Sequence, residues 1–448
     1  MKNTKTGLLF PRSCFFRQSG HYLRLSCFLL LLLVSVSEAQ ILQTFSLVEN
    51  NITESTVCPG ETGLIVISSK HLPDIIGHNI EHLSFLRLAQ KQRQPVVFQI
   101  DQRDQQGRYI ISPKDQNSAE TDSSKRVKIL GKNDELVFRK VDLGERLKLS
   151  SEWVSQNSLL EIEVISARNN PSRWIYILLE DKFSGDSLSE ASIFYDKELD
   201  VVSSSVYKIG FSKTVPFLVD SLHWKLSEQS GWSPDISDMM KIRHQGKFFG
   251  IPFKRSQDDY HSRITGIKKG PLRIIRRTEN RVRVFWKLKT PSLSIDYVMM
   301  PNGFVMDTLI DIPFKISLFF SDLETLTTMD WNNSSELPAL SMHSSHPNAS
   351  SLDLSVNGRQ SADKKAFNDI IDTKFSLSSD SGKFNVFLDI PDDFPIKSNL
   401  YLMDDLSEID LPENIPGQFG NIGFKTTNWE NIDSKSHHLK FTVCVQRK

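Results

Sequence analysis

Carboxylates concentrate in one short stretch of this 448-residue chain. The run QIDQRDQQGRY covers residues 99–109, and GKNDELVF follows at 131–138. Asp101, Asp104, Asp134 and Glu135 therefore fall at strand ends and turns. Loop carboxylates can gather around calcium, the one cofactor chemistry they suggest here, or accept from sugar hydroxyls. Their spacing is not that of an EF-hand loop. The competing reading is that Asp and Asn shape turns by accepting from nearby backbone N–H groups. A second cluster runs from Lys268 to Arg277 (KKGPLRIIRR), with Asp258, Asp259, Tyr260, His261 and Arg263 just upstream. A polysaccharide lyase needs a Tyr or His base and a cation that neutralises the uronate before proton abstraction. Tyr260, His261 and Arg273 supply those types as catalytic candidates, and Arg276 is a candidate binding cation. Alternatively, the arginines line a wet sheet face and pair with nearby acids, each pair worth little. His78-Asn79-Ile80-Glu81-His82 spells H-x-x-E-H, which on a helix would place two imidazoles on one face for zinc. The rest of the chain shows no matching helical peptidase pattern. There is no G-x-S-x-G elbow, P-loop or C-x-x-C. Trp224, Trp232, Trp286, Trp331 and Trp429 suit either sugar stacking or core packing.

The elements that must position these groups read as strands. Residues 63–68, 95–100, 134–141, 158–165 and 173–179 are apolar or alternating runs bounded by turn formers. Residues 272–276 and 281–286 read as two strands split by Thr278-Glu279-Asn280. Residues 304–312, 316–320, 383–390, 422–427 and 438–445 continue the series. Only 78–91 and 236–242 suggest short helices, the latter with Pro234 near its first turn. Many short strands joined by turn chemistry predict an all-β protein of two antiparallel β-sandwich domains. The boundary is expected near 201–205, giving an N-terminal domain at 40–202 and a C-terminal one at 203–448. Residues 332–365, rich in Ser, Asn and Asp, read as a mobile surface excursion.

Arg12, Arg17 and Arg24 precede the apolar run 28–34, and Ser37-Glu38-Ala39 follows. That is the pattern of a signal peptide over 1–39, too short to span a bilayer, with no other stretch long enough to serve as a transmembrane segment. The expectation is a secreted or periplasmic, envelope-associated chain. Its removal takes five of 54 basic residues and one of 54 acidic ones, leaving a charge of −4 and no hint of nucleic-acid binding. Of four cysteines, Cys58 and Cys444 remain. Outside the cytoplasm they are either a disulfide or two separate buried thiols.

The order QIDQRD, GRY, NDELVF, DLGER, RWIYILLED, KGPLRIIRR resembles an uncharacterised family of secreted bacterial proteins with "PFQID-x-D", "DELVF" and "GPVRVIRR" strands. It is also distantly similar to galactose-mutarotase-like supersandwich proteins associated with polysaccharide breakdown. The resemblance spans much of 60–290. It implies two β-domains, the second a supersandwich, and a polysaccharide or other envelope component as partner. Gln102 stands where that pattern has an acid, which removes support for acid–base chemistry there. The expected function is binding or structure at the cell envelope, toward glycans. The alternative is a polysaccharide lyase or glycosidase on a supersandwich.

Overall fold

The computed structural model describes residues 43–48, 58, 63–111, 129–148, 158–165, 171–179, 191–227, 231–332, 339–352, 354–380, 382–413, 415, 417 and 418–447. The expected leader at 1–39 lies outside them. No helix among the described residues is long and apolar enough to cross a membrane. The fold is all-β, as the alternation requires. Its centre is a large antiparallel sheet whose strands run, in spatial order, Tyr260–Lys269, Ile274–Phe285, Leu293–Met300, Gly303–Asp311, Ser436–Arg447, Gly382–Asp389, Lys374–Ser378, Leu340–His343 and Ser355–Val356. The short strand Leu288–Lys289 pairs with Ile274–Phe285 at one margin.

A five-stranded facing sheet is ordered Ile251–Arg255, Ser237–Phe248, Phe320–Trp331, Phe419–Thr427 and Lys397–Met403. Alternate residues of both sheets point between them, as the two-residue period of a strand dictates. Met240, Ile242, Ile422 and Phe424 from the facing sheet share one core with Tyr297, Phe304, Met306 and Val443 from the large sheet. A further antiparallel sheet, from Ile193–Asp196 to Gly231–Trp232, adds Val202, Tyr207 and Trp224 to that core. Residues 202 and 203 lie inside its strand Val201–Ser204.

The N-terminal part is a smaller sandwich. A sheet of Leu64–Ser68, Glu135–Arg139 and Phe98–Asp101 faces five strands built on Leu159–Ile165 and Arg173–Leu178. Among the described residues its one departure from antiparallel pairing is Gln43–Val48, parallel to Leu159–Ile165. More than a hundred residues separate those two strands, which is the long crossover a parallel pair demands. The outer face of the three-stranded sheet (Leu64, Val66, Val137) packs on the outer face of the large sheet (Leu272, Ile275, Val298). Residues 43–147 and 159–448 thus belong to one packed unit.

Several local expectations change. Residues 236–242 are not helical; they lie almost wholly in the strand Ser237–Phe248, because pairing to Phe320–Trp331 outweighs the local helix signals. Residues 78–91 form a 3-10 turn, Ile80–His82, then the strand Ser84–Ala89. The expected break at Thr278-Glu279-Asn280 is absent, and one strand runs from Ile274 to Phe285. There Asn280 Nδ2 donates to Thr278 Oγ1 at 3.0 Å, and Asn280 Oδ1 accepts from Ser262 at 2.6 Å. A buried Asn whose bonds are met side chain to side chain has no need of a turn. Residues 316–320 contain the 3-10 turn Ile316–Leu318 rather than a strand. The 332–365 segment supplies the last two strands at one margin of the large sheet, Leu340–His343 and the edge strand Ser355–Val356, and Met342 and Leu354 enter its core.

Cys58 and Cys444 form a disulfide, tying the start of the N-terminal sandwich to the central strand Ser436–Arg447. Gly303 beside it has φ 157°, and a Cβ there would run into Val443 O and the Cys58 sulfur. Replacing both cysteines (Cys58→Ser with Cys444→Ser) is expected to cost roughly 2–5 kcal/mol by urea unfolding, since it frees a very long loop in the unfolded chain. An unchanged midpoint would show that the crosslink restrains nothing.

Candidate functional site

The carboxylate cluster is internal. Asp101 is fully buried and bonded to the Arg273 guanidinium, to Lys268 Nζ at 2.7 Å and to Gln99 Nε2 at 2.8 Å. Burial alone would raise its pKa, but Arg273 and Lys268 outweigh burial and hold it at about 2. Glu135 takes Arg273 and Arg103, each at 2.5 Å. Asp134 accepts from the backbone N–H of Gly131 and Arg103, and Asp104 from those of Gln106 and Arg108. These oxygens hold turns and fasten the N-terminal sandwich to the large sheet. Asp104 and Asp134 accept from turn backbone, whereas Asp101 and Glu135 are held in ion pairs.

Tyr260, His261 and Arg273 are not brought together. Tyr260 and His261 are consecutive in one strand and take opposite faces, and Arg273 is enclosed in the Asp101–Glu135 network. Arg276 is also enclosed: it bonds Asp200 and the Pro216 carbonyl beneath the Phe211 ring. His78 precedes a 3-10 turn that contains His82, so the two do not share an α-helical face. The three carboxylates whose oxygens converge among the described residues are Asp238, Asp330 and Glu413. Lys241 Nζ already sits with Asp330 at 2.6 Å and Glu413 at 2.7 Å.

What the structure does assemble is a cavity of about 760 Å³ between the large and facing sheets. Its shape follows from register. At the packed end, large rings fill the space: Trp331 of the facing sheet lies 6.0 Å from Phe384 of the large sheet, and Trp224 of the further sheet stacks on the same ring at 4.9 Å. Toward the other end the inward positions become small. His244 pairs across the facing sheet with Thr325, and Thr325 with Thr426. Ile242 pairs with Thr327. Opposite them, Ile295 pairs with Thr308 in the large sheet. Threonines and isoleucines do not reach across a sandwich about 10 Å thick, so space remains. Phe314, Ile316, Phe319 and Trp429 close part of the far end, while the exposed side chains of Phe249 and Leu288 carry the wall to the surface.

The lining is nearly all hydrocarbon. Among the described residues lining it there is no Asp or Glu, so the carboxylate pair of a glycosidase is not present in this wall. Its main polar feature is a chain of three groups. His244 Nε2 is 2.7 Å from Tyr260 Oη, and His244 Nδ1 is 2.8 Å from Thr325 Oγ1. Loss of water lowers the His244 pKa to about 4, and burial raises that of Tyr260. Both are neutral near pH 7, which suits hydrogen bonding and disfavours Tyr260 as a base. At the margin, Arg255 donates to the Arg283 and Val284 carbonyls and bridges the two sheets.

Tyr260 was within reach of sequence reasoning; His244, Thr308, Thr325 and Thr327 were not. The signal that existed is the run ETLTTMDW at 324–331, where two inward positions of a core strand are Thr.

No family model and no curated protein matches the chain. Among solved structures it is similar to an alpha-mannosidase from Enterococcus faecalis V583, with TM-score 0.40 and 10% identity over 89% of this chain and 45% of that one. It is also similar to a glycosyl hydrolase family 38 protein from Enterococcus faecalis, with TM-score 0.39 and 9% identity over 88% and 44%. The chain spans less than half the length of either.

The His244 shift sets a pH dependence. Its folded pKa lies below the unfolded value of 6.5, so the unfolded chain binds the extra proton first. The contribution is complete above about pH 7 and is lost as pH falls from 6.5 toward 4. Wild type should therefore lose about 3 kcal/mol relative to His244→Gln across that interval. Parallel stability curves for the two proteins would contradict the assignment.

Proposed function

We propose that this is a lipid-binding protein of the cell envelope, which holds the apolar part of an amphipathic ligand between the two sheets of its C-terminal part. The observation that carries this reading is the cavity: about 760 Å³ with hydrocarbon walls. Protein interiors are close-packed, and voids larger than a water molecule are few. Sealed and empty, a volume of this size would cost on the order of 18 kcal/mol at about 24 cal/mol per Å³. That exceeds the whole net stability of a domain, roughly 5–15 kcal/mol. The cavity is not sealed, since it opens at the rim by Phe249 and Leu288, and its size is that of a small-molecule site.

Hydrocarbon suits this wall better than sugar. Each buried methylene contributes about 0.8 kcal/mol, so ten would contribute roughly 8 kcal/mol before the costs of association. A sugar would leave most of its hydroxyls facing Ile, Val and Phe, and an unmade buried hydrogen bond costs about 1–3 kcal/mol. The His244–Tyr260–Thr325 chain offers a place for one polar group of the ligand. Secretion, expected from residues 1–39, would put the protein where free lipid needs a carrier.

Titration with a fluorescent polyene fatty acid tests the reading. The folded chain should bind about one equivalent, and Thr327→Phe, which places a ring in the cavity opposite Ile242, should weaken binding by about tenfold or more. The same variant should unfold no more readily than wild type. Equal affinity in the two proteins, or no uptake by wild type, would defeat the proposal.

A further inference from the structure

We propose that the rim of this cavity is a docking surface for an anionic lipid bilayer. Three turns meet there. The first joins Ser237–Phe248 to Ile251–Arg255 and exposes Phe249 (65%) and Ile251 (61%). The second joins Ile274–Phe285 to Leu288–Lys289 and exposes Trp286 (83%) and Leu288 (52%). The third is the 3-10 turn Ile316–Leu318, with Leu318 (66%) exposed. The first and third adjoin, since Phe249 N–H donates to Phe319 O at 2.9 Å; the second lies by the other end of the strand Ile251–Arg255, where Arg255 Nε donates to Arg283 O at 2.8 Å. Phe249, Leu288 and Phe319 all line the cavity, so the apolar rim surrounds its opening.

Two further observations separate this rim from scattered surface hydrophobics. Phe249 and Trp286 sit at φ 48° and 46°, in the left-handed region that favours Gly or Asn. Each hairpin therefore places a large aromatic side chain where both solvation and backbone conformation oppose it, a pairing expected where function requires the side chain. The second is charge. The whole chain has equal numbers of basic and acidic residues. Segments 245–255, 284–290 and 312–322 instead carry Lys247, Lys254, Arg255, Lys287, Lys289 and Lys315 against the single acid Asp322. Lys247 pairs with Asp322, and the other cations remain. Aromatic and aliphatic tips on segments rich in lysine match the interface of a bilayer with anionic headgroups: the tips enter the acyl boundary and the ammonium groups stay with the phosphates. A ligand could then pass between bilayer and cavity without crossing water.

This inference rests on the lipid-binding reading, and the test separates the two. Flotation is measured with vesicles of phosphatidylethanolamine and phosphatidylglycerol, and with phosphatidylcholine alone. Wild type should float with the anionic vesicles and release as salt rises. Trp286→Ser with Leu318→Ser, and separately Lys254→Glu with Lys287→Glu and Lys315→Glu, should each reduce partitioning by about tenfold. All these residues lie outside the cavity wall, so fatty-acid uptake from solution should stay within about twofold of wild type by the same buried-area reasoning. Uptake without flotation by wild type, or flotation unaltered in both variants, overturns the docking surface and leaves the lipid-binding reading standing. Sedimentation showing a dimer that Trp286→Ser dissolves would assign the rim to a second copy of the chain and overturn the bilayer as its occupant.

Discussion

The distance between two sheets is set where they are best packed, and the rest of the sandwich must live with it. Here the separation is fixed by large rings that cross the gap: Trp331 of the facing sheet against Phe384 of the large sheet, and Phe424 against Phe375. Once the sheets are held at that spacing, inward positions filled by Thr308, Thr325, Thr327 and Ile295 cannot close the gap. The cavity is a consequence of small β-branched side chains in the middle of the strands, between the packed rings at one end and Phe248, Phe253 and Phe320 at the other. Strands are stiff enough over 9–12 residues (Gly303–Asp311, Ser237–Phe248, Phe320–Trp331) to carry the spacing from one end to the other.

Polar groups in the interior brace this frame. Arg276 runs under the Phe211 ring to Asp200 and joins the large sheet to the sheet that covers its end. Lys241, fully buried, holds Asp330 across the strand pair and reaches Glu413 in the connection beyond. Lys364 does the same for Asp404 at 2.5 Å. Asp101 and Arg273 fasten the N-terminal sandwich to the back of the large sheet. A buried charge is costly unless paired, so each of these pairs opposes any rearrangement that would separate its partners. The cavity wall is therefore supported from behind on the large-sheet side, where the N-terminal sandwich is docked.

Much of the strand pattern was legible because alternation survives without knowledge of partners. Residues 158–165 and 173–179 read correctly. Misreadings came where a polar residue had a tertiary use. Thr278 and Asn280 look like a turn until their bonds to each other and to Ser262 are seen. Pro234 and Asp235 look like a helix start, yet Asp235 accepts from the backbone of Leu222 and Ser237, closing the sheet edge instead. The acidic stretch at 99–135 stood out by composition, but whether a carboxylate faces a ligand or an arginine depends on residues far along the chain: Asp101 and Arg273 are partners across 172 positions. The cavity was illegible for a related reason. Absence of bulk is not a motif; it emerges only when Thr327 is known to face in beside Ile242 and Phe424, and Thr308 to belong to the opposing sheet.

The central claim is that the under-filled part of the sandwich is a container for one apolar molecule. Native mass spectrometry of the folded chain after exposure to a mixed lipid extract tests it most directly. The account predicts a one-to-one adduct with a lipid that survives removal of bulk solvent. Detection of the bare polypeptide alone, with folded charge states and lipid present in excess, would contradict it.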